Sequence, residues 1–87
     1  MKVFYVVDDG YYAAKDISDV EKALIGFLGE EEAKVAFEGC YEVTRETEML
    51  RRWKNESKGE SYNLYEIFGR HVFINGDKTT QLTYENY

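Results

Sequence analysis

The chain opens on an unbroken run of β-branched and aromatic residues, Val3-Phe4-Tyr5-Val6-Val7. A strand with one wet face alternates apolar with polar, so a run without alternation predicts a strand covered on both faces. Asp8-Asp9-Gly10 supplies the turn that ends it, because Asp bonds its own backbone and Gly admits positive φ. A different period follows. Val20, Ala23, Leu24, Phe27 and Leu28 fall at i, i+3, i+4, i+7 and i+8, behind Ser18 and Glu21 in capping-box spacing and ahead of Gly29. A helix over residues 18–28 is expected, closed by that glycine.

Residues 30–43 carry two patterns at once. Glu30-Glu31-Glu32-Ala33 suits a new helical turn, whereas Val35, Phe37, Tyr41 and Val43 are separated by Lys34, Glu38 and Glu42 as in a half-buried strand, with Gly39 as a bulge or a helix cap. The alternation favours a strand over 35–43. Thr44 or Thr47 then caps a second helix, with Glu46 and Glu48 early and Arg51, Arg52 and Lys54 late, the charge order a helix dipole favours. Met49, Leu50 and Trp53 give that helix its apolar stripe, and Lys58-Gly59 its exit. Tyr62 to Phe68, Arg70 to Ile74 and Lys78 to Tyr84 read as three strands, broken at Gly69 and at Asn75-Gly76, the strongest short hairpin signal. The sum is a single small α+β domain over residues 1–87: a mainly antiparallel sheet, made of the N-terminal strand and a C-terminal β-meander, with two helices packed on one face.

Composition narrows this. With 87 residues there is room for one modest core, which buries about 60–65% of the unfolded surface. Aromatic residues at 16% argue against intrinsic disorder. A single Cys, Cys40, excludes an intrachain disulfide, and a single His, His71, excludes the usual Cys/His zinc spacings. The opening apolar run is too short for a secretory leader or a membrane span, so a cytoplasmic protein without membrane, metal or cofactor is expected.

Little points to catalysis. Val6-Val7-Asp8-Asp9 resembles the magnesium site of response-regulator receiver domains, but those also need a phospho-accepting Asp on a later strand and a Lys-Pro pair, and this chain has no Pro. His71-Val72-Phe73-Ile74-Asn75-Gly76 resembles the late strand and turn of glutaredoxin-like folds, which rest on a cis-Pro just before it. Neither resemblance extends further. His71 is the single imidazole that could serve Cys40 or a serine as a base, nothing in the sequence orients it, and a domain this small has little room for a deep pocket. The expectation is a protein that is not an enzyme, with no residue assigned as catalytic.

Charge is more informative. The formal net charge is -6, and residues 1–49 hold twelve acidic against five basic groups while residues 50–87 are near neutral. Direct nucleic-acid binding by Arg51-Arg52-Trp53-Lys54 and Arg70 is therefore not expected. Asp8, Asp9, Asp16, Asp19 and Glu21 surround the start of the first helix, and Glu30, Glu31 and Glu32 follow its end. Gathered on one side, such carboxylates make a field like a row of phosphates. There are eight tyrosines, more than a small core hides with every hydroxyl partnered; Tyr11-Tyr12 follow the acidic turn, and Tyr84 and Tyr87 flank Glu85. Asp8, Asp9, Tyr11, Tyr12, Glu30, Glu31 and Glu32 are the expected contacts of a face that docks on the basic, nucleic-acid-binding groove of a larger enzyme. The same residues also suit a solvated acidic face beside a tyrosine-rich sheet.

In size and acidity the chain resembles the small phage or mobile-element inhibitors of host defence nucleases, the anti-CRISPR proteins among them. That resemblance implies inhibition by nucleic-acid mimicry, with a CRISPR effector or another defence nuclease as partner. It is one of composition and transfers no residue roles. The alternative is a structural or assembly module that homodimerises through a sheet edge near Lys78 to Tyr84.

Overall fold

Val3, Phe4 and Val6 are all buried although they point to alternate faces of their strand, and the architecture explains why. The computed structural model describes residues 1–7, 9–55 and 60–83. Its elements run β1 (Lys2–Val6), β2 (Gly10–Ala14), α1 (Ile17–Leu28), α2 (Glu30–Glu38), β3 (Tyr41–Glu42), α3 (Glu46–Met49), β4 (Arg52–Asn55), β5 (Glu60–Asn63), α4 (Leu64–Asn75) and β6 (Thr80–Gln81). Four strands form an antiparallel sheet in the order β3-β1-β2-β6, and β4 pairs with β5 in a separate two-stranded ribbon. The α+β class and the doubly covered first strand are as the sequence predicts. No helix among the described residues is long and apolar enough to cross a membrane.

The sheet has two apolar faces. On one, Phe4, Val6, Tyr12 and Ala14 pack against Val20 and Leu24 of α1 and Ala33 of α2. On the other, Val3 and Tyr11 pack with Val43, Met49 of α3 and Leu64 of α4. The helices therefore lie on both faces, which corrects the expectation of two helices on one. Among the described residues the expected C-terminal meander is not formed. Residues 64–75 form a helix, because Leu64, Phe68, His71 and Val72 recur at helical spacing and Asn63 caps the helix by accepting the Glu66 backbone N–H at 2.9 Å. Asn75-Gly76 ends that helix instead of turning a hairpin; Gly76 has φ 62°, the positive angle expected of it, used in a different context.

Three further corrections belong to the first half. Gly10, expected in a turn, and Tyr11 and Tyr12, expected as exposed contacts, belong to the second central strand, Gly10–Ala14, with every residue buried. Residues 30–38 form a helix and only Tyr41–Glu42 of the expected 35–43 strand exists, because Ala33, Ala36, Phe37 and Cys40 face the core at i, i+3, i+4 and i+7 while Val35 is 71% exposed. The second expected helix stops at Met49, and Arg52–Asn55 is a strand. The exit expected at Lys58-Gly59 lies outside the described residues. The first helix holds, although its cap is Asp16, whose carboxylate accepts the Ser18 N–H at 3.4 Å.

Candidate protein-docking surface

Gly29 closes α1 and opens α2 with a single residue between them, at φ 84°. That sharp join sets the end of α1 beside the first turn of α2, where Glu30, Glu31 and Glu32 favour the positive end of the helix dipole. Two hollows meet there. One, about 730 Å³ and open to solvent, has an apolar floor of Val7, Leu28, Val35 and Ala36 and is edged by Glu31, Glu32 and Glu38. The other, about 310 Å³, lies between the two helices and is lined by Glu21, Ile25, Glu30, Glu31, Ala33 and Lys34. Glu31 belongs to both. Gly39 shapes the larger groove, since a β-carbon there would sit 2.7 Å from Val7 Cγ2.

Lys34 lines the smaller hollow, but the carboxylates of this surface form no ion pair among the described residues. The ion pairs among the described residues are Lys2–Glu42 at 3.7 Å and Lys15–Asp77 at 3.1 Å, and Glu21, Glu30, Glu31, Glu32 and Glu38 take part in neither. Exposed apolar side chains stand among them: Val7, Ile25, Leu28 and Val35. Several such residues together, edged by charge, are characteristic of a surface that meets a partner.

The other residues expected at this face are elsewhere. Tyr11 and Tyr12 are 2% and 1% exposed, so neither is a surface anchor. The Tyr12 hydroxyl donates to Asp9 Oδ2 at 2.6 Å, which occupies that carboxylate locally. Tyr11 belongs to a row of rings across three strands: Tyr5 pairs with Tyr11 on β2 and with Tyr41 on β3, with ring centroids 4.9 and 5.5 Å apart. The phenols of Tyr11 and Tyr41 both donate to Glu48 Oε2, each at 2.7 Å. Burial, then the hydrogen bond to Glu48 and its negative charge, push the Tyr11 phenol well above its ordinary range and raise Tyr41 to about 12. These tyrosines serve the sheet through cross-strand pairing. Asp8, Tyr84 and Tyr87 lie outside the described residues. Of the expected contacts, Glu30, Glu31 and Glu32 come together, and the apolar floor beneath them went unanticipated; the signal was the helical spacing of Glu31, Val35 and Glu38 along α2.

Nucleophile and base are on opposite sides of the sheet. Cys40 packs with the α1/α2 core, where burial raises its thiol above the ordinary value. His71 is on α4 and is buried. Its Nε2 lies 2.7 Å from the Lys78 carbonyl oxygen and so donates to it, leaving Nδ1 to accept from the Asn75 amide at 3.1 Å. Nε2 thereby ties α4 to the segment before β6, and Nδ1 is occupied within α4. Among the described residues no group of three His, Cys, Asp or Glu side chains is arranged to hold a metal ion.

No protein-family model matches this chain, and comparison with curated proteins and with solved structures likewise finds no match.

Proposed function

We propose that the chain is a cytoplasmic binding protein, not an enzyme, which docks through the α1–α2 surface on a basic face of a larger nucleic-acid-binding protein and competes there with nucleic acid. The observation that carries this reading is the convergence of Glu21, Glu30, Glu31, Glu32 and Glu38 on two adjoining hollows, with none of them ion-paired among the described residues. Unpaired carboxylates at this density steer a positively charged partner and repel nucleic acid itself. A defence nuclease, a CRISPR effector included, is the partner class that the resemblance in size and acidity suggests.

The test is capture on the immobilised chain from a cell lysate, with salt raised from 50 to 500 mM and, separately, with oligonucleotide added. Over that range the screening length falls from roughly 14 to 4 Å. A captured protein should be released by both treatments and should fail to bind the Glu31→Lys/Glu32→Lys variant. Retention through both, or undiminished capture by the variant, removes the reading. The second reading, a homodimer paired through β6, has a true sheet edge to use, but Thr80–Gln81 offers only two residues of ladder.

A further inference from the structure

We infer that the groove beside α2 receives a basic amphipathic helix, seated by its apolar side chains with its lysines or arginines around them; this rests on the docking reading above. The argument starts from what the groove lacks. Its walls are the end of α1, the length of α2 and the turn after β1, so apart from the groups every helix leaves open at its termini the neighbouring backbone is bonded within its own helices and presents no strand edge. An extended peptide adds itself to a sheet through main-chain hydrogen bonds, and the outermost strands of this sheet are β3 and β6, neither of which lines the groove. Recognition in the groove falls to side chains, which is how an amphipathic helix binds, since it satisfies its own backbone.

The dimensions agree with that occupant. Glu31, Val35 and Glu38 stand at i, i+4 and i+7, so carboxylates bracket the apolar floor over roughly 10 Å of helix axis, about two turns. Two turns present two or three apolar side chains at i, i+3 or i+4, and i+7. The hollow, about 730 Å³ and open to solvent, receives one side of such a helix and does not enclose it. The floor is hydrophobic and its rim is acidic on every charged position, so the complementary surface is an apolar stripe flanked by cations. Phosphate mimicry alone would need the rim and not the floor. Val35, 71% exposed in the centre of an acidic helix, has no packing role that explains it and becomes the residue such a helix covers.

The experiment uses two synthetic 18-residue peptides of identical leucine and lysine composition, one with leucines on a single helical face and one shuffled, titrated into the full chain at 150 mM salt. Calorimetry gives the affinity, and methyl NMR of Val7, Leu28 and Val35 gives the location. The amphipathic peptide should bind at least tenfold more tightly than the shuffled one and shift those methyls. Val35→Asp should weaken it tenfold, while Asp19→Asn, outside both hollows, should change it less than threefold. Val35 and Asp19 are not core residues, and circular dichroism checks that each variant is folded. Equal affinity for the two peptides, or indifference to Val35→Asp, overturns the helix inference and leaves the electrostatic docking reading intact. If Glu31→Lys/Glu32→Lys binds both peptides as the parent does, the docking reading falls and this inference with it.

Discussion

Tyr11 reaches from a buried position in the second central strand to donate its phenolic hydrogen to Glu48 Oε2 on α3 at 2.7 Å, and Tyr41 donates to the same oxygen from the sheet edge. One carboxylate thereby links β2, β3 and α3. Replacing it by Glu48→Ala leaves the Tyr11 hydroxyl without that acceptor in a buried setting, which costs about 1–3 kcal/mol in urea denaturation. Tyr41→Phe should cost less, about 0.5 kcal/mol, because Tyr41 is 45% exposed and water competes for its hydroxyl.

The same pair makes stability depend on alkaline pH. Both phenols titrate above their ordinary value of 10.0 in the folded chain, Tyr41 at about 12 and Tyr11 higher still. Below pH 10 the phenols are protonated folded or unfolded, and their contribution is complete. Above it the unfolded chain releases protons that the native chain retains, so stability falls as pH rises through 12. Urea midpoints measured from pH 9 to 12 should decline, and Glu48→Gln should flatten the decline by removing the charge that holds the protons on. An unchanged slope in that variant would assign the shift to burial alone.

Gly10 is at φ 129°, and a β-carbon built on it would collide with the backbone carbonyl oxygen of Thr83. Conformation and space both oppose substitution. Gly10→Ala should destabilise by about 2 kcal/mol or more and disturb the 3.2 Å bond from Tyr11 N–H to Thr83 Oγ1. Thermal unfolding checks the first effect and amide exchange at Tyr11 the second.

Asn63→Ala removes the side-chain acceptor at the start of α4. A loss of about 1 kcal/mol is expected, with Asn63→Asp close to neutral, by chemical denaturation. If both substitutions cost nothing, the cap is not what positions this helix.

Removing the charges of Glu31 and Glu32 has two separable effects. Each carboxylate in the first turn of α2 is worth about 0.3–1 kcal/mol to that helix. Glu31→Gln/Glu32→Gln should therefore lower stability by about 1 kcal/mol and leave the chain folded, while capture of a basic partner drops by tenfold or more. Loss of binding in proportion to unfolding would instead mark the acids as structural.

The sequence discloses some parts of this molecule more readily than others, for physical reasons. Val3-Phe4-Tyr5-Val6-Val7 reveals a covered strand because burial on both faces removes polar positions, and α1 shows its period because only one side is buried. The residues Gly10 to Ala14 hide a strand because small residues and tyrosines beside an acidic turn look like surface until β1 and β6 are known to flank them. In α2, exposed Val35 counterfeits strand alternation with Phe37, and the deciding positions are the small Ala33 and Ala36. In α4, β-branched and aromatic residues suggest strands, yet Asn63 with Glu66 three positions on is a legible helix start. Of the docking surface, the glutamates stand out in sequence; the apolar floor does not, because Val7 and Val35 are brought together only by the tertiary fold.

Gly29 leaves no slack between α1 and α2. With one residue serving as the end of one helix and the start of the next, the aperture between them is governed by a single pair of torsions. A side chain at that elbow meets no steric obstacle but does meet an unfavourable torsion, so an alanine there would re-aim the two rods instead of clashing. Val20, Leu24 and Ala33 seat both rods on the sheet, so that one codon sets the shape offered to an incoming surface.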